Sequence, residues 1–146
     1  MKSLIALASL LLILIAAIGY AADSICTQFH QKLSELPHIN LKLHTNGFVS
    51  IFDGNQLDGC EVVYESNESL VSGDRGHDLY IEFVNAKGWK QNNKYGADGP
   101  GSSSVGIEND GYRCLINWFQ HSWLDDRTNE IKQSDQIKMV IQCSLK

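Results

Sequence analysis

Proline is scarce in this chain of 146 residues, and its two prolines, Pro37 and Pro100, lie far apart. The sequence also lacks an internal repeat, a low-complexity tract and a proline-rich linker, which are features that often separate domains. Its length is that of one ordinary domain. We therefore expect a single compact domain.

Positive charge is also scarce. The chain has 12 lysines and arginines against 17 aspartates and glutamates, and its formal net charge is −5. The basic residues are spread along the chain, whereas nucleic acids and anionic membranes attract proteins through clustered positive charge. The composition argues against both as partners.

Sequence motifs of common enzymes are absent as well. The chain contains no GxSxG, no HExxH and no GK[ST] ending of a phosphate-binding loop. It also lacks the closely spaced cysteine or histidine pairs that usually supply zinc ligands. We therefore predict no metal site and no cofactor, and we favour a non-enzymatic protein.

The N-terminus has the three-part layout of a secretory signal peptide. One early lysine precedes an apolar run, Leu4–Ile18, and cleavage after Ala21 leaves Gly19 at the −3 position. An uncleaved anchor is the alternative, but the run is shorter than the ~20 residues that span a bilayer comfortably. We predict a signal peptide at 1–21 and a secreted or periplasmic domain at 22–146, with no stable membrane insertion after cleavage.

All four cysteines lie within the predicted mature domain. An even number of cysteines in an exported chain indicates two disulfides, because oxidising compartments favour this bond. Composition alone leaves three connectivities open. The strand pattern around the cysteines narrows the choice.

Apolar residues recur at helical spacing soon after the predicted cleavage site. The residues on this face are Ile25, Phe29, Leu33 and Leu36. Asp23 or Ser24 can cap the start of the helix, and Pro37 marks its end. We predict a short amphipathic helix.

The segment GDRGHDLYIEFVNAKGW fits either a strand or a helix. Leu79 and Phe83 suit the alternation of a strand, but they also share a helix face with Ala86. Gly88 can end a helix in the left-handed conformation, and Trp89 can supply the apolar contact that often follows. We predict a helix, whereas an extended segment would favour an all-β sandwich.

The pair Asn46-Gly47 lies between two alternating segments in LKLHTNGFVSIF. Both residue types tolerate the positive φ angles of a two-residue type I′ turn. We therefore predict a hairpin of strands near 41–45 and 48–52. Another strand is predicted at GCEVVYES, where alternation directs Cys60 toward the core.

The last two predicted strands, YRCLINWF and IKMVIQCSL, have complementary apolar faces. If Cys114 lies opposite Cys143 in an antiparallel pair, every facing pair is apolar, and a one-residue slip would disrupt them all. The other facing pairs are Tyr112 with Leu145, Ile116 with Ile141, and Trp118 with Met139. This register predicts a Cys114–Cys143 disulfide and leaves Cys26 to join the first helix to the sheet through Cys60.

Two polar segments are predicted to be loops. One is the glycine-rich KQNNKYGADGPGSSS, and the other is the 15-residue connection HSWLDDRTNEIKQSD. Long ordered loops often carry function. In the second loop His121, Asp125 and Asp126 are candidates for an acid–base pair or metal ligands, although such residues are more often part of a solvated loop.

Together these patterns predict an α+β domain, with an antiparallel sheet of about five strands, two helices and two disulfides. The function we favour is a non-enzymatic binding or inhibitory module for an extracellular or envelope protein or a glycan. Aromatic residues in the polar segments often anchor such contacts. The candidates are Tyr95, Phe119 and Trp123.

The sequence is also compatible with two other functions. One is a small secreted hydrolase that uses His121 with Asp125, Asp126 or Glu108. The other is a cation-stabilised domain of a cell envelope. A pocket that gathers His121 with carboxylates would favour the enzyme, and exposed aromatic residues would favour the binding module.

Overall fold

The structure is a computed structural model that describes residues 25–67, 75–86, 88–99 and 102–146. The predicted signal peptide at 1–21 lies outside the described residues. The helix caps predicted at Asp23 or Ser24 lie outside them too.

Eight strands are present in the described residues. They are β1 (Asn40–His44), β2 (Phe48–Val49), β3 (Gln56–Leu57), β4 (Gly59–Asn67), β5 (Lys90–Gly99), β6 (Ser102–Glu108), β7 (Tyr112–Asp125) and β8 (Glu130–Leu145). Six of them form the main sheet in the order β1-β4-β8-β7-β6-β5, and β2 pairs with β3 in a separate two-stranded sheet. Every pairing is antiparallel.

Both helices pack on one face of the main sheet. Helix α1 covers residues 25–34 and helix α2 covers Arg75–Asn85. Phe29 of α1 stacks on Phe83 of α2 with 3.9 Å between ring centroids. These rings belong to one hydrophobic cluster with alternating residues of β4, β6, β7 and β8. The core therefore lies between the two helices and the centre of the sheet.

The two predicted helices are present, and each ends before the residue that the sequence marks as its C-terminal limit, Pro37 for α1 and Gly88 for α2. After α2, Gly88 has a φ of 94°, and Trp89 meets Phe83 edge-on with 6.3 Å between ring centroids. After α1, the carbonyl oxygen of Pro37 accepts a hydrogen bond from the Tyr64 hydroxyl at 2.7 Å. The α+β prediction depended on the helical conformation of α2. In the described part of the chain, no helix has the length and apolar character needed to cross a membrane.

The last two strands pair in the predicted register. Cys114 lies opposite Cys143, and the three predicted apolar pairs around them are present. The disulfides are Cys26–Cys60 and Cys114–Cys143, as predicted. Cys60 is also the register partner of Cys143 on the other side of β8. The two disulfides therefore lie side by side, with the sulfur atoms of Cys26, Cys60 and Cys143 within 4.8 Å of one another.

The hairpin predicted around Asn46 and Gly47 is wrong. Strand β1 pairs with β4, and β2 pairs with β3. A type I′ turn needs positive φ at both central residues, but of these two only Gly47 has it, at 86°. The Gly47 amide donates a 2.9 Å hydrogen bond to the carbonyl oxygen of Gly59. Leu43 instead lies opposite Val62, in a pairing between distant segments that a local turn signal does not reveal.

The loop predicted over KQNNKYGADGPGSSS is also wrong. These residues form most of the hairpin of β5 and β6, whose register shifts between Asn92 and Ala97. Because β5 is an edge strand, it is not held to strict alternation of apolar and polar residues, and charged or bulged segments are common at such edges. Its composition therefore resembles that of a loop.

The long connection predicted at 121–135 is wrong as well. Strands β7 and β8 continue to Asp125 and from Glu130, so only a short turn joins them. The backbone oxygen of Asp125 accepts a 2.8 Å hydrogen bond from the Asn129 amide. Asn129 has a φ of 53°, a conformation that asparagine tolerates better than most residues. The ends of these strands are largely exposed, so no alternation of apolar residues marked them as strands.

Gly59 is required where β4 begins beside β8. Its φ is 149°, and a Cβ would lie 2.0 Å from the carbonyl oxygen of Cys143. Gly54 also has a positive φ, 71°, but a Cβ there would meet nothing within 4 Å.

We expect Gly54→Ala to lower the free energy of unfolding by about 1–2 kcal/mol. Gly59→Ala should lower it by at least about 3 kcal/mol, because a steric clash with the backbone is added. Urea denaturation measures both losses, and equal losses would contradict the clash.

Candidate functional site

The face of the main sheet opposite the helices, which we call the open face, carries the candidate site. It is formed by the side chains that alternate with the core residues of β7 and β8. Leu115 and Asn117 of β7 and Val140 and Gln142 of β8 lie on it, and all four are buried. An arm formed by residues 48–57, which contains β2 and β3, covers one end of this face.

Gln142 holds the arm against the open face. Its amide nitrogen donates hydrogen bonds to the carbonyl oxygen of Val49 at 2.8 Å and to Glu61 Oε2 at 2.6 Å. Its amide oxygen accepts a hydrogen bond from the backbone amide of Ile51 at 3.2 Å. The buried side chain thus satisfies two backbone groups of the arm, much as a neighbouring strand would.

A pocket of about 280 Å³ lies between the arm and the strands β5, β7 and β8. Its lining is mainly apolar and aromatic, with one guanidinium group. The residues that matter here are Phe48, Phe52, Leu57, Tyr95, Arg113 and Leu115. An apolar concave surface with few polar groups is the usual form of a binding site.

Tyr95 enters this pocket from the bulge of β5. It lies over Gly106, where an added Cβ would be 3.0 Å from Tyr95 Cβ. Its ring meets Phe52 edge-on with 5.6 Å between centroids. On the other side, the guanidinium carbon of Arg113 lies 5.2 Å from the Tyr95 centroid, within the range of a cation–π interaction. Tyr95 therefore connects the arm to β7.

Glu108 lies opposite Arg113 in the register of β6 and β7. Its Oε2 accepts a 2.8 Å hydrogen bond from Asn92 Nδ2 and lies 3.3 Å from Lys146 Nζ. The hydrogen bond from Asn92 and, after it, the contact with Lys146 hold the pKa of Glu108 below its usual range. The carboxylate is therefore ionised and engaged by its neighbours at neutral pH.

Arg113 is less fully engaged than Glu108. Its Nε is 4.0 Å from Glu108 Oε2. Among the described residues this buried Nε finds no hydrogen-bond acceptor. The side chain as a whole is nevertheless 42% exposed. A guanidinium has five N–H donors, so Arg113 retains donors for a carboxylate that approaches the pocket.

The three aromatic residues predicted as contacts lie in different places. Tyr95 lines the pocket, whereas Phe119 and Trp123 belong to the distal half of β7. Phe119 is about 20 Å from Arg113 along the strand, at 3.3 Å per residue. Trp123 lies farther on, opposite Lys132. Both side chains are exposed, but neither belongs to the pocket lining.

The residues suggested for a hydrolase are spread along the sheet. His121 lies in β7 at the register shift with β8, and its side chain is outside the described part of the structure. Asp125 forms an ion pair with Lys132, which lowers the pKa of its carboxyl, and Asp126 is exposed in the turn. Glu108 is near the opposite end of β7, about 26 Å from His121 at 3.3 Å per residue. The structure does not bring Glu108 together with the other three.

The described residues contain one group of three close side chains of metal-binding type. They are Cys26, Cys60 and Cys143. All three are in disulfides and have no thiolate to offer a metal. This group is part of the scaffold.

Sequence reasoning missed Phe52, Leu57, Arg113 and Gln142 as site residues. The pocket exists only because the arm folds over strands that are distant in sequence. A weak signal was available, since IFDGNQL places large apolar residues within a polar turn.

Family models, curated proteins and solved structures show no match to this chain.

The role of Gln142 can be tested by truncation. Gln142→Ala should lower the free energy of unfolding by about 1–3 kcal/mol, because it leaves two backbone groups of the arm without their partner. Hydrogen exchange at the Ile51 amide should accelerate. Gln136→Ala, at an exposed position on the same strand, is the matched control and should change neither quantity. Unaltered exchange at Ile51 in Gln142→Ala would show that other contacts hold the arm.

The pKa of Glu108 should respond to Asn92. Because the folded-state pKa is depressed, the ionised carboxylate stabilises the fold above the unfolded-state pKa, and this contribution disappears as pH falls through the folded-state pKa. Asn92→Ala should raise the pKa of Glu108 toward its usual range, so the stabilisation should become smaller and its loss should be complete at a higher pH. NMR titration of the Glu108 carboxyl carbon measures the shift. The control is Asn93→Ala, at the neighbouring exposed position, which should leave the pKa of Glu108 unchanged. A similar pKa shift in both variants would show that the hydrogen bond from Asn92 is not the cause.

Proposed function

We propose that this chain is an exported, non-enzymatic binding module, and that its pocket on the open face receives a segment of a partner protein. The observation that carries the proposal is the exposed apolar rim of the pocket beside Arg113. Phe52 is 54% exposed, and Ile51 and Leu57 of the same arm are also exposed. The two disulfides suit an oxidising compartment outside the cytosol.

The exposed apolar residues of the arm are clustered. Val49, Ile51, Phe52 and Leu57 all lie within ten residues of sequence and on the two-stranded arm or its turn. Single exposed apolar residues are normal on protein surfaces, whereas contiguous patches often mark interaction sites. Phe52 and Leu57 of this cluster line the pocket, so the exposed apolar surface of the arm includes part of the pocket rim.

The pocket also has the residue types that dominate binding energy in protein interfaces. Tyrosine, tryptophan and arginine are enriched among residues whose truncation costs the most affinity. Here Tyr95 and Arg113 are in contact, and the guanidinium is partly exposed. We infer that the partner presents an apolar or aromatic side chain to Phe52 and Leu57, and a carboxylate to Arg113.

A protein fits this pocket better than a glycan does. Sugars are bound by hydrogen-bonding groups that are available to their hydroxyls, but apart from Arg113 the charged and amide side chains of this lining are already hydrogen-bonded. Gln142 is bonded to the arm, and Asp53 accepts hydrogen bonds from the backbone amide and the side chain of Asn55 at 3.1 and 2.8 Å. The remaining surface is mainly apolar.

The binding function can be tested by site-specific photo-crosslinking. A photoreactive benzoylphenylalanine placed at Phe52 should crosslink the protein to a discrete partner in its native compartment. The same group at Ile39 is the matched control, because Ile39 is 61% exposed but lies outside the pocket lining. Crosslinking at both positions alike would contradict a specific site.

Affinity for the captured partner should depend on Arg113 and Phe52. With the purified partner, Arg113→Ala and Phe52→Ser should each raise Kd at least about tenfold, which corresponds to ~1.4 kcal/mol. Ile39→Ser should leave Kd unchanged. A glycan that binds the wild type and loses affinity in Phe52→Ser would instead identify a carbohydrate as the ligand.

A further inference from the structure

The distal ends of β7 and β8 form a two-stranded ribbon that extends beyond the main sheet. We define the ribbon as Ser122–Asp125 of β7 and its partners Glu130–Gln133 of β8. The pairing of β6 with β7 stops at Phe119, and that of β4 with β8 stops at Gln136. Within the described residues, no strand pairs with either outer edge of the ribbon. Such edges present backbone donors and acceptors that can pair with another strand.

One face of the ribbon carries an exposed apolar pair. Leu124 lies directly opposite Ile131 in the register, and these side chains are 54% and 65% exposed. On the other face, Trp123 lies opposite Lys132, and Asp125 lies opposite Glu130. The outer edge of β8 therefore presents an apolar residue, Ile131, between two residues of opposite charge.

We propose that the outer edge of β8 in the ribbon pairs antiparallel with the same edge of a second copy of this chain, with Ile131 at the two-fold axis. In this register Ile131 of one copy faces Ile131 of the other. The apolar pairs of the two ribbons then form one continuous row across four strands. An isologous contact of this kind closes on itself and gives a dimer.

Charge complementarity sets this register. With Ile131 on the axis, Glu130 of each copy faces Lys132 of the other, which gives two cross-strand pairs of opposite sign. Lys132 already contacts Asp125 within its own ribbon, and its side chain is 48% exposed. It can therefore bridge Asp125 and the Glu130 of the second copy. Among the described residues Glu130 has no other charged partner.

The outer edge of β7 does not offer the same complementarity. Centred on Leu124, an antiparallel pair of β7 edges would place Trp123 of one copy opposite Asp125 of the other. Such a pair supplies no opposite charge, and Asp125 is already paired with Lys132. The arrangement of charges thus favours the β8 edge as the dimer interface.

The dimer can be tested with two charge-reversal variants. Glu130→Lys places a second lysine opposite Lys132 across the interface, and Lys132→Glu places a second glutamate opposite Glu130. Each variant alone should raise the dimer Kd at least about tenfold in sedimentation equilibrium, since two pairs of opposite sign become pairs of like sign. Mixed in equal amounts, the two variants should form a heterodimer, because both cross-strand pairs regain opposite charge.

Controls separate this interface from other causes of association. Lys42→Glu reverses an exposed lysine on the edge strand β1 and should leave the dimer Kd unchanged. Circular dichroism should show that all variants are folded with the wild-type spectrum. A wild-type protein that remains monomeric at high concentration would overturn the proposal. So would a dimer that withstands both charge reversals, or variants that fail to associate with each other.

Discussion

A junction of two disulfides at one level of the main sheet is the constraint on which the rest of the structure depends. The Cys26–Cys60 bond ties α1 to β4, and the Cys114–Cys143 bond ties β7 to β8. Because Cys60 and Cys143 are register partners, the two bonds join a helix and three adjacent strands at a single place. Each link restricts the unfolded chain and typically contributes about 2–4 kcal/mol to stability. The helix-covered face is thereby fixed, and the orientation of the opposite face is fixed with it.

The candidate site lies on the open face of the sheet, directly behind the two disulfides. Gln142 and Ser144, which flank Cys143 in β8, contribute to the pocket, and so do Cys114 and its neighbour Arg113. A rigid support keeps the positions of binding groups constant and limits the entropy lost when a partner binds. The arm adds the apolar rim, while the buried amide of Gln142 fixes the arm to the sheet. The proposed contact surface is therefore a supported patch rather than a mobile loop.

The strands that the sequence revealed are those with one buried face. The segments around Cys114 and Cys143 alternate because their core side is covered by helices, and this alternation was enough to predict the register and both disulfides. Strand β5 and the ribbon near Trp123 are largely exposed, so their apolar and polar residues do not alternate regularly, and they were predicted as loops. The residues of the candidate site were likewise predicted only in part. Tyr95 was predicted as a contact residue from its aromatic character, but Phe52 and Arg113 were not. Neither residue has a local pattern that indicates its partners.

The sequence by itself determined the two helices, the pairing of the cysteines and the register of the last two strands, because burial imposes a regular spacing of apolar residues on each of them. Only the tertiary structure decided which strand pairs with β1, where the arm lies and which side chains surround Tyr95. Those arrangements join segments that are distant in sequence, as Gln142 joins β8 to Val49. Their energies come from single contacts across the sheet, and a single contact leaves no periodic trace in the sequence.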